Sequence, residues 1–486
     1  MLTFAVHLES DGSGPRAPLP GVHLIGSDDV PLRAEITYRD GLLTCRKRAA
    51  GPAGLTVLWP IEGVGRFLLE TARLMERTKP YVLQLELARG RLIRLFQKVE
   101  EWGLADLDKT GAFSTQLAAA RKLLLEGMLA ESEREAARLG DQAVAAAVRL
   151  SEEMTAAYSS AALERRRSAQ TGARHWLGVT LKVQEDGSFS PPLEGVDFTT
   201  LALPWRVLEP AHQKVLLKPA DDAFAALGAK KAPVRVGPVL DLSPEGAPPW
   251  LNRFEADFEG MRDAAHDHVK RVVSRYASRV HSWVIVSGLN AGTTLPLTFE
   301  QIMELTRMSA ALAKRLAPAS QVLIEIAAPW GEYYADNPRS IPPNLYAEMV
   351  TQSGVAFDGF CIDLRYRYGL RDFFQIATML DRFSVFNKPV HVTGVQAPAA
   401  ASPEWIETHG YWSRPWNETT QAAYVRRFVE VAMGKPFVES VCYGPVDDAA
   451  SPGDPPCGLR NSKGVARPAL RAWSACRGAP PPARGA

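Results

Sequence analysis

The sequence predicts an α/β fold: a (β/α)8 TIM barrel preceded by a β-sandwich-like N-terminal domain and a helical linker region. Three observations predict it. The chain has 486 residues, too many for one small domain. Its periodicity changes twice, from strand-like to helical near residue 88 and to a strand–helix alternation near 168. That alternation then recurs through eight apolar strand-like runs, the pattern of a parallel barrel.

In residues 1–88, FAVHL, GVHLIG, PLRAEITYRDGLLTCRKR and GLTVLWPI alternate or run apolar, and Arg39-Asp40-Gly41 joins two of the runs as a hairpin. VGRFLLETARL is compatible with strand or helix. In residues 89–167, LARGRLIRLFQKVEEWG has apolar residues at helical spacing, and the Ala/Leu/Glu/Arg-rich run after it predicts one long helix or a helical hairpin. Its apolar stripe is expected to pack on a neighbouring domain.

The barrel is expected over residues 168–480, with a disordered tail at 481–486. Its strands are HWLGVTLKV, FTTLALPW, VRVGPVLDL, SWVIVSGLN, SQVLIEIAA, GFCIDLRYR, PVHVTGVQA and FVESVCYGPV. Amphipathic segments such as FEQIMELTRMSAALAKRLAP separate most of them, and the helix between the first two strands is short or missing. In this architecture the chemistry sits at the C-terminal strand ends.

Composition narrows the function classes. Hydrophobic residues make up 46%, charged residues 23%, and the formal net charge is +2, so no nucleic-acid or membrane-surface partner is expected. The basic run Arg165–Arg167 reads as a solvated helix end. No apolar run reaches membrane-spanning length. The N-terminus MLTFAVHLESDGSG lacks the basic and apolar regions of a secretory signal, so a cytoplasmic location is expected, with export by another route left open. The five cysteines form no metal-ligand cluster and read as reduced thiols, with a bridge between Cys442 and Cys457 left open. No cofactor and no metal is expected.

Four strand ends together resemble glycoside hydrolase family 10, the β-1,4-xylanase barrels. RYASRVHSWVIVSGLNA is similar to the family's fourth-strand segment: Tyr276 and Trp283 match, Ser287 replaces the Asn and Gly288 stands at the acid/base Glu. PVHVTGVQ is similar to Val-His-Ile-Thr-Glu-Leu-Asp: Val390, His391 and Thr393 match, and Gly394 stands at the nucleophile. VESVCYGPVDD and GLRNSKGVARPALRAW resemble the family's closing motifs, with Tyr443 in place of Trp and Gly444, Pro468 and Ala469 kept. TTLALPWRVLEP resembles the second-strand phrase ending in Glu-Pro. The resemblance covers about residues 170–478 and implies a barrel that once cleaved β-linked sugar.

Retaining glycosidases need two carboxyl groups roughly 5–5.5 Å apart, one a proton donor and the other a nucleophile. Glycine supplies neither, so the family mechanism is not expected here. Asp241, Glu325, Asp363, Asp447 and Asp448 lie near strand ends and are the possible substitutes. Glu325 and Asp363 sit in otherwise apolar strands, where an unpaired charge is costly. They are either a relocated acid/nucleophile pair or structural carboxylates paired with a base such as Arg365. Cleft and sugar-binding candidates are Trp330, Tyr333, Arg365, His391, Trp412 and Tyr443. Tyr334, Tyr366, Tyr368, Trp405, Tyr411 and Trp416 are further loop aromatics that either stack on sugars or pack loops together. Two functional readings follow. One is a pseudo-glycosidase acting as a structural or interaction protein, through protein partners or self-association, or as a binder of a β-linked oligosaccharide. The other is a hydrolase working through relocated carboxylates.

Overall fold

The computed structural model describes residues 1–7, 20–104, 108–168, 176–228, 232–337, 339–448 and 455–477. The tail expected at 481–486 lies outside the described residues, as do His175, where the first barrel run begins, and the side chain of Arg167. The described residues group into two compact units. The first comprises Met1–Ser168, Tyr366–Thr378 and Ala399–Gly434; the second comprises Ala169–Arg365, Met379–Pro398 and Lys435–Ala486.

The first unit begins with eight strands: β1 (Leu2–Ala5), β2 (His23–Ile25), β3 (Pro31–Leu32), β4 (Ala34–Arg39), β5 (Leu42–Lys47), β6 (Gly54–Ile61), β7 (Gly65–Glu70) and β8 (Tyr81–Val82). They build two sheets. One has the order β4-β5-β1-β8, with the β4–β5 hairpin turning at Asp40-Gly41. The other contains β7-β6-β2-β3. The segment left open between strand and helix is strand β7, whose Phe67, Leu68 and Leu69 are buried. Three helices follow: α1 (Leu83–Glu101), α2 (Ala112–Met128) and α3 (Glu133–Ser168). Helix α1 starts directly after β8, ahead of residue 89, because Leu83, Leu87, Ala88, Leu92 and Leu95 already keep one buried helical face.

The second unit holds β9 (Trp176–Lys182), β10 (Phe198–Ala202), β11 (Val234–Val236), β12 (Leu240–Asp241), β13 (Ser282–Ser287), β14 (Gln321–Ala327), β15 (Gly359–Asp363) and β16 (Val390–Val395). Strand β17 (Tyr411–Trp412) joins β7 in the first unit, and β18 (Val438–Tyr443) returns to the second. All barrel pairings are parallel, in the order β10-β9-β18-β16-β15-β14-β13-β11, and β11 pairs β10 again to close the ring. The result is a closed eight-stranded (β/α)8 barrel. The run VRVGPVLDL, read as one strand, is two: β11 closes the ring, and β12 adds a short pairing along the upper part of β13. Near-continuous apolar runs are what parallel strands covered on both faces require, and every residue of β13 and β15 is buried.

The helices after β10 are α4 (Trp205–Leu208), α5 (Lys218–Gly228), α6 (Phe258–Tyr276), α7 (Phe299–Leu316), α8 (Pro343–Gln352), α9 (Phe373–Phe383), α10 (Pro403–His409), α11 (Glu418–Met433) and α12 (Pro468–Ala475). Between β9 and β10 there is no helix, in line with the short or missing helix read there. Helix α7 starts on a capping box in which Gln301 N donates to Thr298 Oγ1 and Thr298 N donates to Gln301 Oε1.

Cys442 and Cys457 do not bridge; Cys45, Cys361, Cys442 and Cys457 are buried. Among the described residues no helix is long and apolar enough to cross a membrane.

Candidate functional site

The mouth of the barrel is where β12, β13, β14, β15 and β16 end. Gly288 follows β13 with φ +71°, and Gly394 lies in β16 with φ +67°. Both backbones occupy the left-handed region, which glycine reaches freely and an L side chain reaches only under strain. A Cβ at Gly288 would rest in ordinary van der Waals contact, with Asp241 Oδ1 at 3.5 Å and Ser243 Cβ at 3.8 Å. A Cβ at Gly394 would collide with the Asp363 carboxylate and approach Arg365 Cγ to 3.1 Å. At each glycine, then, the neighbouring strand directs an aspartate toward the space a side chain would use.

Glu325, on β14, is 5% exposed and Asp363, at the end of β15, is 2% exposed. Ser287 Oγ donates to Glu325 Oε1 and Thr393 Oγ1 donates to Oε2, each at 2.6 Å. Burial, and next the Asp363 charge, push the Glu325 carboxyl up to about 7, against the pull of both hydroxyls and Arg365. Arg365 Nε lies 3.0 Å from Asp363 Oδ2, and Arg365 Nη1 reaches Glu245 at 3.4 Å. Asp241 accepts the Ser243 N–H at 2.9 Å; burial raises its proton affinity, and the Ser243 hydrogen bonds oppose the rise. Chemically, this is a carboxyl that holds its proton near neutrality beside one facing a guanidinium. Such a pair suits acid–base work only where substrate reaches it.

The remaining expected residues are dispersed. Asp447 forms a two-point pair with Arg460 (2.6 and 2.9 Å), and Asp448 another with Arg467 (2.6 and 2.7 Å). Both carboxylates therefore fasten the loop after β18 instead of facing the mouth residues. His391 is 3% exposed inside the barrel, where its Nδ1 meets Ser440 Oγ at 2.8 Å and Arg235 Nη2 at 3.2 Å. Burial and the Arg235 charge hold it neutral, far below the usual histidine range. Tyr443 is fully enclosed, donates its hydroxyl to Cys457 O at 2.7 Å and meets Trp473 edge-on. The interior packing of β16 and β18 encloses both His391 and Tyr443, two of the cleft candidates.

Tyr333, in the loop after β14, is half-buried, receives Asn290 Nδ2 at 2.6 Å and donates to Ile341 O at 2.8 Å. Trp330 is half-buried in the same loop. A cavity of about 370 Å³ opens between this loop and the one after β13, with Pro296, Phe299, Tyr334, Arg339 and Leu345 in its walls.

In the first unit, Trp412 donates its indole N–H to Glu152 at 3.3 Å and packs edge-on to Phe373. Tyr366 donates to Gly410 O at 2.6 Å, stacks on Trp405 and meets Trp416 edge-on. These loop aromatics hold their loops together. Sequence reasoning missed Glu152, whose carboxylate also receives Phe373 N at 2.8 Å. It also missed Asn290, which bonds both the N–H and the C=O of Ala327. The spacing of Asn290, two residues past Gly288, was the one signal available.

No family model matches this sequence, and no curated protein matches it. Among solved structures the chain is similar to native xylanase 10B from Thermotoga maritima, at 17% identity and TM-score 0.47, over 64% of this chain and 97% of that one. It is similar to a GH10 from Paenibacillus barcinonensis at 16% identity and TM-score 0.47, over 62% and 94%. It is also similar to native xylanase 10C from Cellvibrio japonicus at 12% identity and TM-score 0.49, over 63% and 70%. These are likenesses of chain course; the barrel itself rests on the closed strand pairing.

Proposed function

We propose that this chain is a xylanase-like barrel that does not hydrolyse sugar by the two-carboxylate route and serves as a structural or interaction protein. The observation that carries this reading is the left-handed backbone at both Gly288 and Gly394, with the Asp363 carboxylate filling the space beside the second. An acid/base and a nucleophile are absent together, and the local backbone disfavours their return. The aromatics argue in the same direction, because Tyr366, Trp416 and the β18 residue Tyr443 are buried and hydrogen-bonded within the protein.

The test is release of reducing sugar from xylan and from an aryl β-xyloside. The expected result is none above the buffer rate. Calorimetry with xylo-oligosaccharides separates the two non-catalytic roles: absence of heat at millimolar ligand supports the interaction role, and saturable heat makes the protein a sugar binder.

A second reading is favoured by one observation, the Glu325–Asp363 pair. Here Glu325, protonated near neutrality, would be the acid and Asp363 the nucleophile. Sugar release that disappears in both Glu325→Gln and Asp363→Asn would establish this reading and sink the first.

A further inference from the structure

We propose that the cavity between the loops after β13 and β14 binds a small aromatic carboxylate, its ring lying against Phe299 and Tyr334 and its carboxylate paired with Arg339. The space, about 370 Å³, falls within the size of small-ligand sites, roughly 300–1,000 Å³. Its floor is apolar, since Leu297 is 7% and Ile341 is 4% exposed. That floor is also fixed before any ligand arrives. Ile341 N donates to Asn290 O, and Ile341 O accepts from the Tyr333 hydroxyl, each at 2.8 Å. Asn337 Nδ2 donates to Ala291 O at 3.4 Å, a second tie between the two loops. A site held in this way loses little ordering entropy on binding.

The walls select the chemistry. Among the described residues Arg339 is the one charged side chain that lines the cavity. It is exposed, its backbone N–H goes to Asn337 Oδ1, and its guanidinium has no ion-pair partner among the described residues. The carboxylates nearby in sequence do not serve it. Glu300 is held by its own N–H and by Thr298 at the start of α7, and Asp336 is exposed and lines no part of the cavity. A planar guanidinium grips a carboxylate at two points. The half-buried rings of Phe299 and Tyr334, with Pro296 and Leu345, offer apolar surface for a flat body. A pyranose fits less well, because the wall hydroxyls are already engaged: Thr298 Oγ1 accepts the Gln301 N–H, and Ser340 Oγ donates to Asn337 O. Sugar hydroxyls enclosed there would go unpaired. Neither Glu325 nor Asp363 lines the cavity, so the inference holds whether or not the mouth hydrolyses sugar.

Calorimetry on the full chain with 3-phenylpropionate tests it, against the neutral 3-phenylpropanol. The wild type should bind the acid saturably and the alcohol about fivefold more weakly. Arg339→Gln should remove that preference. Leu345→Asp, which takes away apolar wall and sets like charge at the rim, should weaken binding of the acid by roughly tenfold. Arg339 and Leu345 are both exposed, so the circular dichroism of each variant should match the wild type. No saturable heat, equal binding of acid and alcohol by the wild type, or binding of the acid that neither change weakens would each overturn the proposal. Displacement of the acid by xylobiose would make the cavity a sugar site and overturn it as well.

Discussion

Gly394 and Glu325 set what single residues in the barrel mouth can do. Gly394→Glu should not confer hydrolysis, because its side chain would start in the left-handed region and meet Asp363 at once. The expected loss is about 1–3 kcal/mol of stability, read from urea unfolding. Glu325 makes a pH prediction. Its carboxyl is raised in the folded protein, so its favourable contribution is complete below about 4.5 and is lost as pH rises through about 7. His268 and His391, whose proton affinities are lowered by burial, push stability the opposite way over much of that window. The wild type alone therefore hides the effect, and the comparison with Glu325→Gln isolates it. Relative to that variant, the wild type should lose up to about 3 kcal/mol between pH 4.5 and 7.5, measured by unfolding at each pH. A difference that does not change with pH would show that Glu325 titrates like an exposed glutamate.

At the scale of elements, helix α7 depends on its reciprocal cap. Thr298→Ala removes the acceptor for the Gln301 N–H and should lower stability by about 1 kcal/mol, seen as a shift of the urea midpoint with unchanged slope. Elements were also where the sequence was most readable. β13 to β16 are short apolar runs between helical patterns, and a parallel barrel is the arrangement that buries such runs on both faces. β11 and β12 were less readable, since the division of VRVGPVLDL into two strands depends on pairing with β13 and not on hydropathy. The mouth was half legible. Gly288, Gly394, Glu325 and Asp363 could be placed at strand ends by counting. The hydroxyls that grip Glu325 could not, because Ser287, Glu325 and Thr393 come from three strands and meet only when the sheet closes. For the same reason, nothing local told that Asp447 and Asp448 would be taken up by Arg460 and Arg467.

For the whole molecule, thiol accessibility gives a direct check of the packing. Four of the five cysteines are buried and only Cys476 is partly exposed. A thiol reagent should label a single site rapidly in the native protein and all five after denaturation. Burial pushes the thiols of Cys45, Cys361 and Cys442 upward, which slows the reaction further because the thiolate is the nucleophile. Rapid native labelling of more than one site would mean that the interior opens readily.

The two glycines of the mouth also bear on how this barrel end can be re-engineered. With the Asp363 carboxylate occupying the space beside residue 394, a side chain introduced there meets a neighbour that leaves no room. Seating a new carboxylate at that position would require the backbone at residue 394 and Asp363 to change together, because relieving either obstacle alone leaves the other in place. The position is therefore closed to single substitutions, and a designer would have to redraw the ends of β15 and β16 as one unit.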